Sequence, residues 1–107
     1  MHLLEKSILY IHEHYTQNIT ITQLAKMEDL SETHFRTLFK QQTGQTPSGY
    51  IAETRIQASM TLLDTTTMDL MQIAESVGYS DAYYFGRVFK EIVGISPGKY
   101  RKKAKNS

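Results

Sequence analysis

Phe89–Tyr100 reads FKEIVGISPGKY and Phe39–Tyr50 reads FKQQTGQTPSGY. Phe, Lys, Gly, Pro and Tyr recur in the same places fifty positions apart, with Ser96 answering Thr46. Each copy has the grammar of one helix stopping and another starting. Glycine takes the left-handed conformation just past a helix end at little cost, and proline suits the first turn of the helix that follows. An inward Phe precedes the stop, and a Tyr follows it where it can pack the new helix back onto the old one.

The repeat continues upstream. ITITQLAKMEDLS from Ile19 matches MDLMQIAESVGYS from Met68 with an offset of 49, pairing Leu24 with Ile73, Ala25 with Ala74, Leu30 with Tyr79 and Ser31 with Ser80. Beyond Ser31 and Ser80 the offset becomes 50, so the second copy gains one residue at that joint, at the start of its next helix. Both copies open with helix-start chemistry. Thr20 and Gln23 form a capping box, and Asp69 and Gln72 take the same positions in the second copy. Ile19 with Leu24, and Met68 with Ile73, are placed as hydrophobic staples.

These signals predict a short helix, a tight turn and a longer helix in each copy, spanning about 20–28 and 32–43, then about 69–77 and 81–93. Gly78 supplies the positive φ that the second turn needs, and Asp29 tolerates that region better than most residues in the first. Ala25 and Ala74 are small where two steeply crossing helices must approach. The layout is that of a helix-turn-helix, written twice. Two units are too few for a solenoid, which needs about three or more to be stable.

The flanks are helical as well. Leu4, Ile8, Ile11 and Tyr15 form one apolar stripe that should end before residues 16–18. After Pro47 the run SGYIAETRIQASMTLL holds no breaker and puts Tyr50 or Ile51, Thr54, Ala58 and Leu62 on one side. At 1.5 Å per residue, that helix of roughly sixteen residues is about 24 Å long. The expected all-α architecture is therefore two lobes, about 3–46 and about 68–102, joined by a linker helix at about 48–64 and followed by a basic tail at 103–107.

Function should lie on the longer helix of each unit. Phe35, Leu38, Phe39 and Gln42 point inward in the first, leaving Thr33, Arg36, Thr37 and Lys40 outward at helical spacing. Phe85, Val88, Phe89 and Ile92 point inward in the second, leaving Tyr83, Gly86, Arg87 and Lys90 outward. The two outward stripes sit at matching repeat positions. Each offers an Arg whose fork matches guanine O6 and N7, hydroxyl or aromatic neighbours for bases, and a Lys for phosphate. Gly86 costs about 1 kcal/mol inside a helix, which suggests that a missing side chain lets the backbone approach a groove.

Composition excludes other classes. The 107 residues hold no cysteine, so neither a disulfide framework nor a thiolate metal site is available. No apolar run spans a bilayer, and the broken N-terminus is not a signal peptide, so the expected location is the cytoplasm, away from membranes. His2, His12, His14 and His34 form no catalytic or metal-binding constellation, so neither enzyme chemistry nor a cofactor is expected. The net charge of +1 hides an asymmetry: residues 1–86 hold five Lys/Arg against ten Asp/Glu, and residues 87–107 hold seven against one. By itself a basic end is equally a solvated tail.

LAKMEDLSETHFRTLFKQQTGQTPSGYIAETRI and IAESVGYSDAYYFGRVFKEIVGISPGKYR resemble the paired helix-turn-helix DNA-binding domain of the AraC/XylS family of bacterial transcription regulators. The second segment is the more specific, with I-A-x-x-x-G-[FY]-x-D, Y-F-x-R-x-F-K and G-x-[ST]-P-x-x-Y-R in order. The resemblance covers residues 4 to 102 and implies seven helices, with two recognition helices in successive major-groove segments roughly 34 Å apart on double-stranded promoter or operator DNA. Carried onto this sequence, it implies base contacts from Thr33, His34, Arg36 and Thr37 and from Ala82, Tyr83, Gly86 and Arg87. Ser31, Lys40, Ser80, Lys90 and the helix N-termini would hold phosphates. RNA polymerase and a sensor or dimerisation domain outside this chain are further partners it admits. Arg55 is expected to be structural, pairing with a carboxylate between the lobes.

One position departs from the pattern. Glu28 stands where an apolar residue usually closes the turn, as Val77 does in the second unit, and Met27 is expected to rotate into its place. The competing functional class is a helical protein-interaction module that does not bind DNA.

Overall fold

The computed structural model describes residues 2–105, and every regular element among them is a helix: α1 (Glu5–His14), α2 (Ile21–Met27), α3 (Glu32–Thr43), α4 (Pro47–Thr65), α5 (Leu70–Ser76), α6 (Ala82–Val93) and α7 (Pro97–Lys105). The chain divides into two units, residues 1–52 and 53–107, with α4 running through the division. Of the expected basic tail, residues 103–105 continue α7, while 106 and 107 lie outside the described residues.

In the first unit, Thr20 caps α2 by accepting from the Gln23 backbone N–H at 3.2 Å, and the Gln23 side chain accepts from the Thr20 N–H at 3.0 Å. The turn after α2 passes through Asp29 at φ +56°, the one non-glycine positive φ among the described residues. Leu4, Ile11, Leu24, Ala25, Phe35, Phe39 and Ile51 form the core, with Ile8, Ile19, Met27, Leu30 and Leu38 packed against it. Each fully buried Phe contributes about 1.5–3 kcal/mol relative to exposure. Gly44 ends α3 at φ +80°, and the Tyr50 ring sits edge-on to Phe39 at 5.3 Å. The repeated words therefore act as read: an inward ring, a glycine stop, a proline start and a tyrosine that folds the next helix back.

In the second unit, Asp69 and Gln72 make the same reciprocal cap at 2.8 and 3.0 Å. Gly78 and Gly94 take φ +104° and +98°. Ile73, Ala74, Val77, Tyr79, Phe85 and Phe89 are buried, and Tyr100 meets Phe89 at 5.7 Å. The correspondence also reaches further upstream than the matched letters. Leu4 at the cap of α1 and Ser7 and Ile11 on it are buried, and Ile56, Ser59 and Leu63, each 52 positions on, are buried in the second half of α4. Ser7 Oγ donates to Leu4 O, and Ser59 Oγ donates to Ile56 O.

Three expectations need correction. The stripe through Thr54, Ala58 and Leu62 on α4 is only half-buried; Ile51, Ile56, Ser59 and Leu63 are the buried positions. A single stripe does not describe a helix whose two ends belong to different cores. Ile92, expected inward, is 42% exposed. Its repeat partner Gln42 is held by the segment before α1, accepting from Leu4 N–H and donating to His2 O. In the second unit the matching stretch lies inside α4, where the helix ladder already uses those backbone groups.

Met27 does not replace Glu28 either. Glu28 is itself buried, and its Oε2 accepts from the Ser7 backbone N–H at 2.9 Å. Ser7 lies in the first turn of α1, where N–H groups lack intrahelical partners and Leu4 offers no side-chain cap. Glu28 thus caps α1 from across the unit. Burial by itself raises the Glu28 carboxyl, but the Ser7 N–H and His2, 3.2 Å away, outweigh it and hold the group below its ordinary value.

Candidate nucleic-acid interface

The two recognition candidates, α3 and α6, are each twelve residues long and each end on a left-handed glycine. On α3, Thr33, His34, Arg36, Thr37 and Lys40 are all exposed. Thr37 Oγ1 donates to Thr33 O at 3.1 Å, which spends its proton and leaves its lone pairs outward as acceptors. Ser31 caps the helix by accepting from His34 N–H at 3.2 Å, and its own hydroxyl proton stays available to an anion.

On α6, Tyr83, Arg87 and Lys90 are exposed, Tyr83 to 78%, while Ala82 and Gly86 are half-buried. A methyl group built on Gly86 would meet nothing within 4 Å, so this glycine fronts open space. The extra residue of the second repeat sits at the helix start. Asp81, one position after Ser80, is the cap, its Oδ1 accepting from Tyr83 and Tyr84 N–H at 2.8 and 3.3 Å. Ser80 is exposed and precedes the cap. A carboxylate therefore occupies the N-terminus of α6 where a hydroxyl stands at that of α3, leaving α3 the better end for phosphate.

Two residues join these faces that the sequence reading omits. Glu32 Oε1 lies 3.8 Å from Arg36 Nη2, a surface pair one turn apart whose spacing was legible as Glu before Arg at i, i+4. Tyr84, the repeat partner of His34, is 54% exposed. Its ring lies 5.9 Å from that of buried Tyr79, and the Arg55 guanidinium stands 5.4 Å from the Tyr79 ring centroid. Arg55 thus packs on the aromatic pair at the start of α6. Burial raises the Tyr79 hydroxyl above its ordinary value, with Arg55 opposing in part.

His12 and His14 have packing partners. His12 Nε2 is 2.7 Å from Tyr50 Oη, and His14 stacks on Tyr10 at 4.3 Å. No group of three metal-binding side chains occurs among the described residues, and no described helix is long and apolar enough to cross a membrane.

Two capped helix pairs, each projecting a polar helix face at matching repeat positions, are the parts of a double helix-turn-helix. A helix-turn-helix domain family model matches residues 24–103. The chain belongs to the AraC/XylS family of transcription regulators. It corresponds to their DNA-binding domain. The MmsAB operon regulatory protein of Pseudomonas aeruginosa is 33% identical over 96 residues, 90% of this chain and 31% of that protein. The C-terminal domain of the two-component response regulator yesN from Fusobacterium nucleatum superimposes with a TM-score of 0.84 at 34% identity, covering 91% of this chain and 95% of that one. The DNA-binding domain of AdpA, solved with a target DNA, shares the fold at TM-score 0.90 and 22% identity, over 96% of this chain and 93% of its own. The chain spans 19 to 39% of the length of the curated relatives it matches.

Proposed function

We propose that α3 and α6 of this AraC/XylS domain each enter the major groove of a bacterial promoter or operator and together read two sub-sites about one helical turn apart. Thr33, His34, Arg36 and Thr37 contact bases in one sub-site, and Ala82, Tyr83, Gly86 and Arg87 in the other. Arg36 and Arg87 present forks to guanine O6 and N7, the Thr37 oxygen accepts, and the bare Gly86 lets the α6 backbone lie close to the base edges. Lys40 and Lys90, with the Ser31 and Ser80 hydroxyls, hold phosphates. In a longer regulator of the kind its relatives represent, this domain works in the cytoplasm beside a sensor or dimerisation domain, and RNA polymerase is a natural partner.

The observation that carries this reading is the exposure of Arg36 and Arg87 on two helices that share one set of stops. Selection of bound duplexes from a random pool tests it. Two recognised segments should emerge, centred about ten base pairs apart. Arg36→Ala and Arg87→Ala should each relax preference at one position, in different segments, by about 1–3 kcal/mol. Recovery of no consensus would instead favour the protein-interaction module, and loss of affinity without loss of preference in both variants would make Arg36 and Arg87 phosphate contacts rather than base contacts.

A further inference from the structure

We infer that the outward face of α7 is a third phosphate-binding surface, holding the DNA backbone beside the segment that α6 reads; this rests on the DNA-binding reading above. The inward side of α7 is set by its contacts. Tyr100 packs on Phe89 and donates to Asp64 Oδ2 at 3.1 Å. Arg101, the one cation directed inward, donates to Leu63, Met68 and Thr66 carbonyls at 3.3, 2.6 and 3.2 Å. At 100° per residue, Lys99, Lys102 and Lys103 then share the opposite side at i, i+3 and i+4, and all three are exposed.

Lys103 lines a cavity with Asp64 of α4, which accounts for one of the three; Lys99 and Lys102 need another explanation. The His2–Glu28 and Arg36–Glu32 pairs involve none of these lysines. Like charges at such spacings repel. The helix dipole favours cations in the last turn, which would explain Lys102 and Lys103, but it disfavours Lys99 in the first. The repeat does not demand them either: fifty positions earlier stand Gly49, Ala52 and Glu53. What remains is a polyanion as the partner. The seven cations against one acid of residues 87–107 include Arg87 and Lys90 of α6 itself. Because packed helices lie about 8–10 Å apart and the major groove is about 12 Å wide, lysines on the helix next to α6 reach the phosphates that border the groove.

The test compares the chain with a Lys99→Gln/Lys102→Gln/Lys103→Gln triple variant and a triple Lys→Arg variant, on a selected duplex and on a scrambled one, across a salt series. The Gln variant should show a slope of log affinity against log salt shallower by about 2–3, equally on both duplexes, with sequence preference intact. The Arg variant should behave like the parent. An unchanged slope for the Gln variant overturns the inference and would leave the face to an acidic protein or an anionic membrane. A loss confined to the selected duplex overturns it too, as does an Arg variant that matches the Gln variant while both melt earlier. If the parent fails to prefer the selected duplex, the base-reading proposal falls, and the slopes on scrambled duplex still decide this one.

Discussion

Glu28 and Val77 occupy the same repeat position, both are buried, and their chemistry is opposite. The difference traces to what precedes each lobe. In the first, α1 begins at Glu5, so the Ser7 N–H is an orphan donor inside the unit and needs an acceptor. In the second, the matching Ser59 lies well inside α4, where the N–H of each residue bonds four residues back. One lobe therefore requires a buried carboxylate, and the other has no donor for one. A second contrast follows the same logic. Ile51 closes the first core, while its partner Arg101 reaches the carbonyls around the end of α4.

The sharpest way to break this comparison is Val77→Glu. It would bury a carboxylate with no N–H waiting and should cost about 3–5 kcal/mol in chemical denaturation. Stability within about 1 kcal/mol of the parent would show that the two sites are interchangeable. Arg101→Met comes next. Three carbonyls lose a charged donor, and a loss of about 1.5–3 kcal/mol is expected, because hydrogen bonds to charged groups carry that much.

Glu28→Val makes the first lobe resemble the second and should destabilise it by about 1–2 kcal/mol at neutral pH, since Ser7 N–H is left buried and unpaired. This effect carries its own pH signature. The Glu28 carboxyl is lowered in the folded chain, so its contribution is fully present above the ordinary carboxylate range and is lost as pH falls through the lowered value. Parent and variant should therefore converge in acid, and a gap that stays constant down to strongly acidic pH would contradict the cap. The smallest expected change has the opposite sign. Gly86→Ala meets open space and should stabilise by about 1 kcal/mol, while weakening DNA binding if the bare backbone is what the groove requires. Paired melting and mobility-shift measurements separate the two effects.

Much of the candidate surface was legible because it is local. The outward stripes of α3 and α6 follow from helical spacing around Phe35, Phe39, Phe85 and Phe89, and the burial of those rings fixes which side is outward. Tyr84 was legible too, as the repeat partner of His34. Asp81 was harder, because the matched Ser31 and Ser80 pointed to the hydroxyl one residue earlier, and only the position of the helix start decides between them.

The sequence by itself determined the seven helices, the capping boxes, the glycine stops and the twofold repeat, since each is signalled by residues only a few positions apart, although helices as short as α2 and α5 persist only once packed. Tertiary structure alone decided that Glu28 caps α1 from 21 residues away, that Arg101 reaches back 38 residues to Leu63 O, and that α4 buries Ile56, Ser59 and Leu63 rather than its apparent stripe. A buried donor or an unpaired carbonyl has no signature in the residues around it. Its partner is whichever group the packing brings within reach, and that is settled only when the cores close.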